Sequence, residues 1–283
     1  MSWPALSLLV LAVAAGALVT LMRRRPGLGV EYARRRSAAL AAAPSQTPLV
    51  LTESDLAALP APVQRYLRVT GSVGKPRVRN LNAAYDAEMF RKPGQPGMPG
   101  PAEQFNRFDT PRRLFFMRTR MFGLPVAVLH DYEGIRASMT VRVASLFNGV
   151  DLHSDALART ETVTLLNDLC IFAPSWLTDP RLAWQPVDDR HADVTFTQGP
   201  HRVSARLEFN DAGELVNFIS EDRGALQKDG SLRLLRWSTP VRDYREFEGR
   251  RVATRGEAIY DYPEGAFVYG RFVLKQIRFD VQA

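Results

Sequence analysis

Four histidines, one cysteine and a handful of acids in helical or strand patterns are the residues with which this chain could do chemistry. His130 precedes Asp131, and His153 stands near Asp151 and Asp155, so nitrogen and oxygen donors sit side by side. A fold would have to gather them to hold a metal, and no two histidines have the i, i+4 spacing of a helical zinc site. Read by themselves they are surface or turn histidines beside acids, and no metal site is assigned. Glu161 and Asp168, seven apart in a helical pattern, share one face and form a carboxylate pair suited to acid–base work; a solvated face explains them as well. Cys170 falls on the apolar stripe of the same segment, which suits buried packing better than nucleophilic attack. Asp243-Tyr244, following Trp237-Ser238-Thr239-Pro240, is chemically rich, but a Pro-bent strand with a packed Trp accounts for it equally. No Gly-x-Ser-x-Gly elbow, Walker loop or Gly-x-Gly-x-x-Gly fingerprint is present, so no catalytic residue and no cofactor is assigned.

The elements that would carry these residues are mostly strands. DALARTETVTLLNDLCI, residues 155–171, reads as one long helix whose stripe is Val163, Leu166 and Leu169 or Cys170, ended by Pro174. Thr52 to Gly71 reads as a helical pair: Thr52 or Ser54 caps the first helix, Pro60 and Pro62 break it, and Gly71 stops the second. From Pro76 onward the period changes to two, with strands ahead of the long helix and again from residue 182 to the end. Pro93–Ala102 (PGQPGMPGPA) reads as a loop, and Asn210-Asp211-Ala212-Gly213 as a hairpin turn. About eleven short strands with one inserted helix exclude a doubly wound parallel sheet, which needs alternating helices. The expected fold is α+β: a large curved antiparallel sheet, a half barrel or mattress, covered by that helix. Phe267, Tyr269, Phe272, Leu274, Ile277 and Phe279 make a heavy stripe on the last strand, fit for its core. A curved sheet under one helix leaves room for an apolar cavity between them.

The amino end is of another kind. Trp3 to Met22 contains no charged residue and is long enough, at about 1.5 Å per residue, to cross a bilayer's hydrocarbon core as a helix. Arg23, Arg24 and Arg25 follow directly, where a cleavage site would need small residues, so an uncleaved transmembrane helix is expected. Six arginines before residue 37 (these three with Arg34, Arg35 and Arg36), against Glu31 alone, account for five of the seven net positive charges of the 283-residue chain. They read as headgroup contacts on the cytoplasmic side of a single-pass cell-membrane protein, although the periplasmic side stays open. The remainder is nearly neutral with interleaved acids, which excludes a nucleic-acid partner. The expected organisation is a transmembrane helix at 3–22, a basic juxtamembrane segment and linker at 23–50, and an antiparallel half-barrel domain at 51–283.

LPAPVQRYLRVTG (59–71), LLNDLCIFAPSWL (165–177), FNDAGELVNFISEDR (209–223), WSTPVRDYREFEGRRV (237–252) and YPEGAFVYGRF (262–272) together resemble an uncharacterised bacterial family of membrane-anchored proteins. The layout resembles the LolA/LolB-like half barrels of lipoprotein-localisation carriers, which implies a lid-covered cavity for acyl chains. With no catalytic motif present, the expected role is non-enzymatic binding of a lipid or other apolar ligand. Membrane lipids are the expected partners, and Leu166, Leu169, Phe172, Trp176 and Trp237 the ligand-binding residues. Two alternatives stay open: a hydrolase using Glu161, Asp168 or Asp243, and an interaction module of a membrane complex.

Overall fold

The computed structural model describes Gly16 and residues 27–42, 49–227 and 229–282. Helices α1 (Leu28–Ala41) and α2 (Ala61–Val69) come first, with a short 3-10 turn at Glu53–Leu56 between them. Thr52 and Asp55 close a capping box on that turn, Pro62 opens α2, and Gly71, at φ +66°, ends it. Six strands follow: β1 (Asn80–Met89), β2 (Met98–Arg107), β3 (Arg112–Met121), β4 (Leu124–Glu133), β5 (Arg136–Val143) and β6 (Phe147–His153). After helix α3 (Asp155–Phe172) come β7 (Leu182–Pro186), β8 (His191–Gln198), β9 (His201–Phe209), β10 (Leu215–Ser220), β11 (Gly224–Leu226), β12 (Leu232–Leu234), β13 (Trp237–Ser238), β14 (Val241–Phe247), β15 (Arg250–Tyr262) and β16 (Gly265–Phe279).

Fourteen of these strands form one antiparallel sheet in the order β6-β5-β4-β3-β2-β1-β16-β15-β13-β10-β9-β8-β7, with β14 also paired to β15. The helix α3 joins the two outermost strands and packs against both β5 and β9. In a flat sheet those two strands would lie about 40 Å apart, while a helix is only 10–12 Å across. The sheet therefore curls around α3, which is buried along most of its length from Leu157 onward, Glu161 and Asp168 included. The pleat aims the inner residues at it. Gln104, Phe115 and His130 stand abreast on β2, β3 and β4, and Asn106, Arg113 and Tyr132 form the next inner row. Between them Phe105, Leu114, Phe116 and Leu129 point the other way, where α1 covers them with Leu28, Tyr32 and Leu40. Covered on both faces, β3 is buried continuously from Arg112 to Met117 rather than alternately.

The curved antiparallel sheet and its inserted helix are as expected; the strand inventory is larger. The structure adds β6, which is exposed along most of its length, and the short β11, and splits residues 232–246 in three. Pro240, without an N–H, interrupts β13 and β14, while β12 leaves the sheet to pair with β11. Met98–Ala102, expected as loop, begins β2. Its prolines are tolerated because Pro99 and Pro101 pair only with β1, the β2–β3 ladder starting at Ala102.

The expected single-pass membrane location is corrected. Among the described residues no helix is long and apolar enough to cross a membrane. The stretch 3–22 lies outside the described residues except for Gly16, as do Arg23, Arg24 and Arg25. Part of the expected juxtamembrane segment and linker is the helix α1, whose Tyr32 stacks on Phe116 at 5.6 Å. Arg34 and Arg35 pair with Glu31, Arg35 reaches Asp131 of β4 as well, and Arg36 lies 3.5 Å from Asn82 Oδ1. Arg35 and Arg36 thus turn toward the sheet, because α1 docks on its outer face.

Ser154 caps α3, its hydroxyl accepting from the Leu157 amide at 3.1 Å. Removing such a cap costs about 1 kcal/mol. Ser154→Ala is expected to lower the urea-unfolding free energy by about that amount with an unchanged m-value, and an unaltered midpoint would show that the cap does not hold the helix.

Candidate functional site

A cavity of about 150 Å³ lies between α3 and the concave face of β1, β15 and β16. Its wall is largely aromatic and aliphatic: Phe115, Phe172, Phe272, Tyr269, Leu274 and Ile171 face it. Tyr85, Phe172, Phe272 and Phe115 pack edge to face at 6.1–6.4 Å between ring centres, a geometry that keeps the rings apart without filling the space. Half-exposed Arg255, on β15, marks the side on which it meets solvent.

Part of the polar wall comes from one stripe of α3. Glu161, Thr164, Asp168, Ile171 and Phe172 recur at three- and four-residue spacing and line the cavity together. The two carboxylates share Arg113 of β3: its Nε donates to Asp168 Oδ2 at 2.7 Å and its Nη1 to Glu161 Oε2 at 3.2 Å. Gln104 and Asn106 donate to Asp168 Oδ2 at 2.8 and 2.9 Å, and His130 Nδ1 lies 3.1 Å from Glu161 Oε1. Burial opposes ionisation of Glu161, but His130, Arg113 and Arg223 outweigh it and hold the carboxyl down at about 2. For Asp168 burial wins over Arg113 and Asn106, and its pKa is raised. Two equivalent side chains on one helix are thereby driven apart by their surroundings.

Arg223, just after β10, stands differently. Its guanidinium lies 4.4 Å from the Trp237 ring centre and 5.5 and 5.9 Å from those of Tyr260 and Tyr269. Its Nε donates to Thr164 Oγ1 at 3.2 Å and its Nη1 to the Tyr260 hydroxyl. Trp237 in turn donates to the Tyr269 hydroxyl at 3.1 Å, and the Tyr260 hydroxyl to the Gly224 carbonyl at 2.8 Å.

Of the residues singled out from the sequence, Phe172 and Trp237 line this cavity. Leu166 and Leu169 point into the packed core instead, and Trp176 lies beyond it, donating to the Val78 carbonyl under Arg77. Glu161 and Asp168 are brought together as a pair, but buried rather than solvated, because the sheet wraps the face that carries them. Asp243 stands apart on the surface, paired with Arg255 at 2.9 Å. His130 is no turn histidine: it sits mid-strand on the cavity wall against Phe115. His153 pairs with Asp151 in solvent, and among the described residues no group of His, Cys, Asp and Glu could hold a metal. Cys170 is buried, and burial pushes its thiol pKa up, which leaves it unreactive. Arg113, Arg223 and Tyr85 were not legible as site residues. The one available signal was an arginine or tyrosine at an inward position of an otherwise apolar alternation.

The matched family model spans residues 49–272, most of the chain and all of the cavity wall but Leu274. The chain belongs to the DUF6544 family of unknown function. No curated protein matches it. Solved structures with a similar layout include a LolA superfamily protein from Nitrosomonas europaea, at 9% identity over 80% of this chain and 96% of that one, with a TM-score of 0.44. A DUF1329 family protein from Desulfovibrio piger is similar at 12% identity, over 83% and 95% of the two chains, with a TM-score of 0.43.

Glu161 carries a test of the cluster. A carboxyl held below its ordinary 4.5 stabilises the fold fully above that value and loses the contribution as pH falls toward 2. Asp168, shifted upward in part by Glu161, contributes the opposite slope, so the difference between wild type and Glu161→Gln reports Glu161 together with its coupling to Asp168. Urea unfolding across pH 5 to 2 is expected to show a steeper loss in wild type than in Glu161→Gln, on the order of 3 kcal/mol over the range. Parallel curves would mean that Glu161 is not held ionised by Arg113 and His130.

Proposed function

We propose that this domain is a non-enzymatic binding module that holds a lipid chain or other apolar ligand in the cavity beside α3. The observation that carries the reading is an aromatic-walled space of about 150 Å³ left open within the hydrophobic core. Protein interiors pack closely, and an apolar void forfeits the contacts its lining atoms would otherwise make. A void of this size takes up a benzene-sized ligand, enough for the end of a chain whose remainder leaves by the Arg255 side. Phe172 and Trp237 are the binding residues retained from the sequence, with Phe115, Phe272 and Ile171 beside them.

The acids favour this reading over hydrolysis. Glu161 and Asp168 both accept from buried Arg113, so neither is left to activate water, and Asp243 lies outside the cavity. We read the cluster as the means of seating a polar helix face inside the sheet.

The test is a neutral probe. Titration of the full-length chain with 1-decanol is expected to saturate at one site and to change the fluorescence of Trp237, a response lost in Trp237→Phe. Ile171→Trp, which fills the cavity from α3, is expected to weaken decanol binding at least tenfold without lowering the melting temperature. Absence of saturable binding, or equal binding by the filled variant, would remove the cavity from the function.

A further inference from the structure

Two groups on the cavity wall lack the partners that buried polar groups ordinarily have. Arg223 is 9% exposed, yet among the described residues no carboxylate lies within ion-pair distance of it. Arg113, by contrast, takes both neighbouring acids, Glu161 and Asp168, while Arg255 and Glu257 are paired outward with Asp243 and Arg271. Two of the Arg223 nitrogens donate to neutral oxygens, of Thr164 and Tyr260. The second group is the hydroxyl of Tyr85, 6% exposed and without a hydrogen-bond partner, at the opposite, β1 part of the wall. A buried cation with no carboxylate at ion-pair distance, its charge met by Glu161 only at longer range, and a buried hydroxyl with no hydrogen-bond partner are each costly, and such groups are normally satisfied. Both are donors.

An acceptor-only, negatively charged group supplies what both lack. The aromatic surroundings point the same way. Trp237, Tyr260 and Tyr269 form the kind of cage that holds a quaternary ammonium, but here the protein's own guanidinium occupies it. A cationic head would be repelled, and an uncharged one would leave Arg223 unpaired.

Resting on the binding role above, we infer that the ligand is a fatty carboxylate, its carboxylate on Arg223, its first carbons among Phe115, Phe172 and Phe272 and the rest of its chain leaving by the Arg255 side. Tyr85 supplies a further donor from the β1 side of the cavity.

The test compares heads at constant chain length on the full-length wild type: decanoate, 1-decanol and decyltrimethylammonium, by isothermal titration calorimetry above the carboxylate's pKa. Decanoate is expected to bind at least tenfold tighter than decanol, and the ammonium at least tenfold weaker. Arg223→Met is expected to abolish the preference for decanoate while keeping decanol binding. Tyr85→Phe, which removes an oxygen bonded to nothing in the protein, is expected to weaken decanoate alone. Equal affinity for decanoate and decanol in wild type would overturn the head-group assignment and leave the cavity role standing. Failure of all three to bind would overturn both. Should Arg223→Met not fold, the wild-type series and Tyr85→Phe decide the matter unaided.

Discussion

The structure depends on a single buried arginine. Arg113 enters the concave side of the sheet from β3 and holds both carboxylates of α3, tying a central strand to the helix that runs through the sheet's interior. Breaking such an interaction leaves a buried charge uncompensated, at a cost of about 3–5 kcal/mol, whereas forming it gains little over apolar packing. Its value is therefore positional. An apolar helix could slide or roll within an apolar trough; a helix carrying Glu161 and Asp168 has one register in which both acids meet their partners. That register turns Ile171, Phe172 and Thr164 toward the cavity and Val163, Leu166 and Leu169 toward the packed core.

Much of this arrangement follows from strand periodicity. In β3, Arg113, Phe115 and Met117 point inward while Leu114 and Phe116 meet α1 on the other side. The curl of the sheet brings β4, with His130, and β15 and β16, with Tyr260 and Tyr269, to opposite sides of the same helix. Charged and aromatic residues from distant parts of the chain thus share one small space, with Arg113 neutralised by the acids and Arg223 held by rings.

What the sequence made legible was local. The long helix, its Pro174 stop, the apolar stripe through Val163 and Leu166, the Gly71 stop and the Asn210–Gly213 turn each follow from a few adjacent residues, and each is present. The family likeness was legible too, in segments that carry strand ends and the helix. The misreadings share a cause: they concern which neighbour an element acquires. Arg35 reads as a headgroup contact until Asp131 is seen opposite it, and the prolines of β2 forbid a strand until it is known to pair on one side only there. Glu161 and Asp168 look solvated as long as the sheet is assumed to cover one face of the helix rather than enclose it. Leu166 and Leu169 belong to the most apolar stripe of α3, whereas the stripe facing the cavity is the mixed one.

Under the proposed role, the space beside α3 belongs to a ligand and not to incomplete packing. Native mass spectrometry of the full-length chain, purified gently from the cells that make it, addresses this most directly. A resident ligand makes a fraction of molecules heavier than the polypeptide by the mass of one small apolar or amphiphilic molecule, released on denaturation. A mass equal to the bare polypeptide under both conditions, together with an experimental structure in which side chains close the cavity, would contradict it.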